Sequence, residues 1–418
     1  MPCMQLISSL RSSLRFVGLD ADLKTQCIVL AAILTAVLPL EIHHLLAALL
    51  GAAGYMFLQS LEPTVQRKPP KAQDSPKLER RASRGDVPMK EVRKPSVVPV
   101  QAPKFQSVGW EAEVQELLQR ISLTEESQAQ VAAITAKVRA VLAPVMPGAK
   151  VDGYCGANPG TCCAFGVAVP DLEIVVLCKP QASARVDAAK FQKALIRSCT
   201  DRLVAAAFKF RRSAFRGVEP KVTLISPPED GQAGIPFNLA VNACTPARSS
   251  AVFEACVQLD ARAAQLVLLV RRWAKDRGIS HAAKGHLSPY CWMLLVVYYL
   301  QDKEPVLPDL SFLTSGKPAP PAAGSDKSAG ELLRGFFSFF AHFDWQTPIR
   351  VRAGGDIAPR TVEGHFAPVI EDPFERRSDL ASSMHSLSLQ RLTAELGRAV
   401  ALCHNSLAEL LEPWTPEE

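Results

Sequence analysis

The sequence predicts an α+β protein, a mixed sheet with helices followed by an all-helical region, on three observations. Strand-like apolar runs at Leu172–Leu177, Lys221–Ile225 and Phe237–Val241 alternate with helical stretches, the pattern of a helix-covered sheet. From Ala251 to Leu300 the pattern is helical throughout, and Ala329–Phe343 adds a further helix. A chain of 418 residues with 48% hydrophobic content is long enough to bury two such cores.

Residues 1–26 form a mixed N-terminal segment whose amphipathic stretch, Leu6 to Leu19, is brief for a transit peptide and is followed by Asp20 and Asp22. Residues 27–58 hold two uncharged runs, Cys27–Leu40 and Leu45–Leu58, separated by Glu41-Ile-His-His44. Each run is shorter than the ~20 residues of a spanning helix, so the pair reads as a membrane hairpin or as one tilted transmembrane helix. Cations flank both outer ends (Arg11, Arg15, Lys24; Arg67, Lys68, Lys71), which favours a hairpin with both ends cytosolic. Membrane attachment through 27–58 is therefore the expectation.

Residues 59–104 read as a basic, Pro-rich disordered linker. From 62 to 104 there are eleven Lys/Arg against five Asp/Glu, a net +6 that equals the charge of the whole chain. Such a segment suits anionic lipid, loose RNA attraction or a protein partner, while the near-neutral remainder argues against tight duplex binding. The eleven cysteines include no CxxC and no zinc-ligand spacing, which points to reduced thiols.

Amphipathic helices are expected near Trp110–Ile121 and Glu125–Leu142, the second capped from Ser122/Thr124. Met146-Pro-Gly-Ala-Lys150 then leads into a strand, and Pro305–Asp326 reads as a Pro/Gly/Ser loop. The expected divisions are 105–248 for the sheet domain, 249–400 for the helical domain and 401–418 for a tail, with the first helices shared between the two domains.

Two patterns carry chemistry. Asp171-Leu-Glu173 puts two carboxylates at i, i+2 on a strand, hence on one face, as a metal pair requires. Arg271 and Lys275 share one helix face at i, i+4, and Ser288/Tyr290 open the following helix, where free N–H groups and an aromatic ring suit phosphate and base. Taken singly, a half-exposed strand and a solvated basic helix end explain them as well.

The order of these motifs resembles the RNA 3′-terminal nucleotidyltransferases of the poly(A) polymerase and terminal uridylyltransferase type. Arg271-Arg-Trp-Ala-Lys-Asp-Arg-Gly-Ile279, then Leu287-Ser-Pro-Tyr290 and Val297-Tyr-Tyr-Leu-Gln301, follow that family's helical-domain pattern. Gly335-Phe-Phe-Ser-Phe-Phe-Ala341 with Phe343-Asp-Trp345, and Val369-Ile-Glu-Asp-Pro-Phe-Glu375, are similar to its C-terminal segments. The resemblance covers roughly residues 108–400. It implies a polymerase-β-like nucleotidyltransferase palm joined to a helical PAP-associated domain.

It further implies template-independent addition of AMP or UMP to an RNA 3′ end from a nucleoside triphosphate (ATP or UTP), with Mg²⁺ or Mn²⁺. By position, Asp171 and Glu173 take the two metal-binding acidic places, with Glu173 standing for Asp, and Gly156, Ala157 and Thr161 fall at the phosphate turn. Arg271 and Lys275 fall on the triphosphate cations, Ser249 on a ribose contact, Tyr290 on base stacking, Ser288 on a retained serine and Asp372 on base recognition. The third acidic place is Asn238, the turn's serine is Ala157, a phosphate-contacting serine is Pro289, and Ser378 stands where uridine-preferring members carry histidine. An amide cannot take the proton of an attacking hydroxyl. Two readings therefore remain: a membrane-tethered transferase facing the cytosol (or at a mitochondrial membrane), and a catalytically silent RNA- or protein-binding module.

Overall fold

The computed structural model describes residues 101–415 apart from 160–169, 179–187, 216–218, 229–230, 232, 316, 319–320 and 322–323. Residues 1–100, with the membrane segment 27–58 and most of the linker, lie outside the described residues, as does Thr161. Among the described residues no helix is long and apolar enough to cross a membrane.

Helix α1 (Trp110–Ile121) buries Trp110, Val114, Leu117, Leu118 and Ile121, a stripe at i, i+4, i+7, i+8 and i+11. That stripe belongs to the core of the helical region rather than to the sheet, and the Trp110 indole donates to the Gly330 carbonyl at 3.0 Å. Thr124 caps α2 (Glu125–Leu142) by accepting from the Ser127 amide, and the buried Ile134, Val138 and Leu142 lie on the sheet at i, i+4, i+8.

Five strands form one sheet in the order β1-β2-β5-β4-β3, namely β1 Lys150–Cys155, β2 Leu172–Leu177, β3 Lys209–Ala214, β4 Lys221–Ile225 and β5 Pro236–Val241. β2 and β5 pair in parallel and the other neighbours antiparallel. Parallel strands need a long crossover. Here it contains α3 (Ala188–Ala205), whose Ile196, Cys199 and Leu203 are buried in the sheet's core. The central strands β2 and β5 are apolar almost throughout because both their faces are covered. β3 was not expected from the sequence. Its Lys-Phe-Arg-Arg-Ser-Ala carries polar residues on both faces, as an exposed edge strand can.

The helical region is built from α4 (Thr245–Leu259), α5 (Ala261–Asp276), α6 (Pro289–Asp302), the single turn α7 (Phe312–Ser315), α8 (Ala329–Ala341), α9 (Ser386–Leu402) and α10 (Leu407–Leu410). The hairpin β6 (Arg360–Val362) and β7 (His365–Ala367) precedes α9. Helicity begins at Thr245, earlier than the expected Ala251, because Pro246 in the first turn is preset for it. Trp273 of α5 meets Trp292 of α6 edge-on at 5.5 Å and Phe337 of α8 at 4.8 Å. Phe336, Phe337 and Phe340 are fully buried, so the α8 aromatic stripe is core, as its spacing suggests.

The stretch after residue 400 is built into this core: Leu407, Leu410 and Leu411 are buried, and the Leu407 amide donates to Glu113 Oε2 at 2.7 Å. α8 opens with a full capping box between Ser328 and Glu331. Ser328→Ala is expected to cost about 1 kcal/mol, read as a lower urea midpoint at unchanged slope.

Candidate nucleotide site

A cleft of about 830 Å³, counting its open mouth, lies between the sheet and the helical region, lined by residues of β1, β2, β4, β5, α4, α5 and the start of α6. Asp171 stands at the entry to β2 and Glu173 on it, and both line this cleft. The i, i+2 spacing delivers both carboxylates to one side, as expected of a strand.

Asp171 is 8% exposed. Its Oδ1 accepts from Arg271 Nη2 at 3.2 Å and from Lys275 Nζ. These cations stand on one face of α5, a helix started by Asp260, whose carboxylate accepts from the Arg262 amide. Gly156 leaves the room this requires: a Cβ there would lie 3.2 Å from Arg271 Nη1. Residues 100 and more apart in sequence thus converge on one carboxylate oxygen.

Glu173 belongs to a polar row across the sheet. The strand registers place Tyr154, Glu173, Asn238, Thr223 and Arg212 side by side on the five strands. Asn238 Nδ2 donates to Glu173 Oε1 at 2.7 Å, Thr223 Oγ1 donates to Asn238 Oδ1 at 2.7 Å, and Arg212 Nε donates to Thr223 Oγ1 at 3.3 Å. Lys221 Nζ, two residues along β4, reaches the same Glu173 Oε1 at 3.0 Å. Sequence reasoning missed Lys221 and Thr223, although their i, i+2 spacing on an expected strand was available. Glu219 also lines the cleft, and its Oε1 accepts from the Cys244 and Thr245 amides at the start of α4, at 2.7 and 3.0 Å.

The expected base and ribose positions are only partly together. Tyr290, Ser288, Pro289 and Ser249 line the cleft, whereas Ala157 is buried in the helical core. Ser288 caps α6 by accepting from the Cys291 amide at 3.1 Å. Burial pushes the Tyr290 phenol well above its ordinary pKa, and the Asp372 charge pushes it further. Asp372 is 2% exposed and turned inward: Oδ2 accepts from Arg248 Nη1 at 2.5 Å and Oδ1 from the Phe374 amide at 2.9 Å. Arg248, another residue the sequence did not single out, therefore stands on the group expected to face a base.

Two carboxylates on one face can hold a single divalent ion. A pair of ions needs a third oxygen donor. At that place Asn238 presents an N–H to Glu173, and among the described residues no group of three or more His, Cys, Asp or Glu side chains is placed to hold a metal. The donor set fits one Mg²⁺ or Mn²⁺ and does not fit two.

Comparison with known proteins agrees with this architecture. Residues 262–409 match the Nrap protein PAP/OAS-like domain family. Poly(A) RNA polymerase GLD2-A of Xenopus laevis is 30% identical over 191 residues, which are 41% of this chain and 38% of that protein. Poly(A) RNA polymerase GLD2 of Mus musculus is 33% identical over 162 residues, 34% of either protein. The chain therefore spans less than two fifths of the length of these relatives. The Cid1 poly(U) polymerase shares the fold at a TM-score of 0.54 and 23% identity, over 72% of this chain and 97% of that one. A cytoplasmic RNA terminal U-transferase does so at 0.55 and 23%, over 73% and 97%. With its ordered motifs and its mixed sheet joined to a helical domain, the chain is similar in sequence to the GLD2 poly(A) RNA polymerases and shares the fold of the Cid1 poly(U) polymerase.

Proposed function

We propose that this chain is a template-independent RNA 3′-end nucleotidyltransferase that takes ATP or UTP into the cleft and adds AMP or UMP to an RNA 3′-hydroxyl. The observation that carries this reading is the meeting of Arg271 and Lys275 with Asp171 across the cleft. Two cations on one helix turn suit a triphosphate, and the Tyr290 ring in the same lining suits a base. Among the relatives, Cid1 has been solved with MgATP, with the UTP analogue UMPNPP and with the product ApU, which supports the same ligand classes here.

In the proposed reaction the RNA O3′ forms a bond to the α-phosphorus as the bond to the β-bridging oxygen breaks. Pyrophosphate leaves and the hydroxyl proton passes to solvent. Arg271 and Lys275 neutralise the β- and γ-phosphates and the charge growing on the leaving group. Tyr290 stacks the base, and Asp372 with Arg248 frames its edge. A single Mg²⁺ or Mn²⁺ held by Asp171 and Glu173 supplies Lewis-acid charge neutralisation at the α-phosphate when bound. Asn238 offers no proton acceptor, so transfer is expected to run about 10²-fold below that of a three-carboxylate site.

For RNA, the surface of α3 and β3 carries six cations (Lys190, Lys193, Arg197, Arg202, Lys209, Arg211) against Asp201 alone, beside a half-exposed Phe210. The near-neutral total of the globular part conceals this patch, which suits a single strand. The proposal extends to a membrane tether through 27–58, with the catalytic part facing the cytosol or, alternatively, at a mitochondrial membrane. The linker 59–104 would then serve a protein partner.

The test is 3′-extension of a labelled RNA by the full-length chain with each nucleoside triphosphate and Mg²⁺ or Mn²⁺. Extension that vanishes in Asp171→Ala/Glu173→Ala is expected. The amide donor on Glu173 favours a second reading, a silenced binding module. That reading predicts no extension by the native chain and a gain in Asn238→Asp, which acquires a proton acceptor. No extension by either protein sinks the transferase reading.

A further inference from the structure

The orientation of the Asn238 amide follows from its neighbours. Thr223 Oγ1 accepts from Arg212 Nε, so its own hydrogen is free for Asn238 Oδ1. Nδ2 must then face Glu173, and the opposite flip would set two acceptors against each other. The side chain at the third acidic place therefore sends an N–H, not a lone pair, to Oε1. The ammonium of Lys221 meets this oxygen from the cleft side. In a two-metal site a divalent ion would need a lone pair of this oxygen, where an ammonium and an amide N–H now converge.

The remaining charges agree. Arg271 and Lys275 balance Asp171, Lys221 balances Glu173, and the N-terminus of α4 takes up the Glu219 carboxylate. Such a neutral lining draws in a second divalent ion far less than a three-carboxylate site, and Lys221 repels an ion placed beside Glu173.

We infer that Lys221 supplies the second positive charge of this cleft, so that one nucleoside triphosphate is bound with one divalent ion rather than two. The inference rests on the nucleotide reading of the cleft. Lysine is suited to the part: its ammonium is a compact point charge with three donors, able to keep Glu173 while offering an N–H to a phosphate oxygen or to the incoming 3′-hydroxyl.

Counting ions tests this without turnover. The full-length chain is titrated with Mn²⁺ in the presence of the α,β-methylene analogue of UTP or ATP, and bound ion and bound analogue are both measured. One ion per chain is expected for the native protein and for Lys221→Arg. Asn238→Asp alone should stay at one, and Lys221→Met/Asn238→Asp should rise to two. If that double variant does not fold, Lys221→Gln alone decides: loss of a neighbouring like charge should tighten the single ion about tenfold. Two ions on the native protein, one on a folded double variant, or no tightening in Lys221→Gln overturns the inference and leaves the nucleotide site standing. Failure of both analogues to bind removes the nucleotide reading itself, and the inference with it.

Discussion

Asp171→Ala is expected to lower RNA extension by about 10³-fold or more, since it removes one of the two carboxylates that could hold a metal ion. The same substitution strips the shared partner from Arg271 and Lys275, whose side chains are 12% and 8% exposed. Removing one partner of a buried ion pair destabilises a fold by about 3–5 kcal/mol. The triphosphate of a nucleotide then meets two cations relieved of the Asp171 charge. A metal-free nucleotide should therefore raise the melting temperature of Asp171→Ala more than that of the native chain, even though the variant is inactive. Equal shifts in the two proteins would show that the cations do not receive the triphosphate.

Arg277→Ala should likewise cost about 3–5 kcal/mol of stability. Arg277 is 7% exposed and grips Glu395 with two parallel bonds, Nε to Oε2 at 2.7 Å and Nη2 to Oε1 at 3.0 Å, while Nη1 donates to the Glu412 carbonyl. One side chain thus joins the end of α5, the middle of α9 and the segment beyond α10. Urea unfolding followed by tryptophan fluorescence reads the effect, because Trp414 is in the same assembly: its amide donates to the Asp276 carbonyl and the Arg391 guanidinium lies 3.4 Å from its ring centroid. A loss below about 1 kcal/mol would mark the pair as a surface-like ion pair.

Much of this architecture was legible in the residues. Leu172–Leu177 and Lys221–Ile225 read as strands from their apolar β-branched runs and are strands over those spans. Trp110–Ile121 carried periodicity and Glu125–Leu142 a cap as well, and both hold the expected boundaries. β3 was illegible because an edge strand needs no apolar face, and Lys209 to Arg212 resembles a solvated turn. β6 and β7 are three residues each, too short for a period.

At the site, Asp171, Arg271 and Lys275 could be assigned to one cleft from motif order, but their pairing with one another shows only in the structure. Asp372 could be placed but not oriented. Its inward turn depends on Arg248, a residue 124 positions away whose reach no local pattern encodes. Lys221 and Thr223 sat in plain view on an expected strand, yet only the register that sets Thr223 opposite Asn238 shows where they point.

The row from Arg212 to Glu173 has a direction. Every hydrogen in it points the same way: guanidinium to hydroxyl, hydroxyl to amide oxygen, amide nitrogen to carboxylate. Aligned dipoles of this kind polarise one another in a low-dielectric interior. The aligned row spans three strand spacings, about 14 Å, from the sheet's edge to Glu173. Arg212 also meets His281 Nε2 at 2.9 Å, on the connection between α5 and α6. One continuous chain of hydrogen bonds thus ties the edge of the sheet to the candidate carboxylate on one side and to that connection on the other.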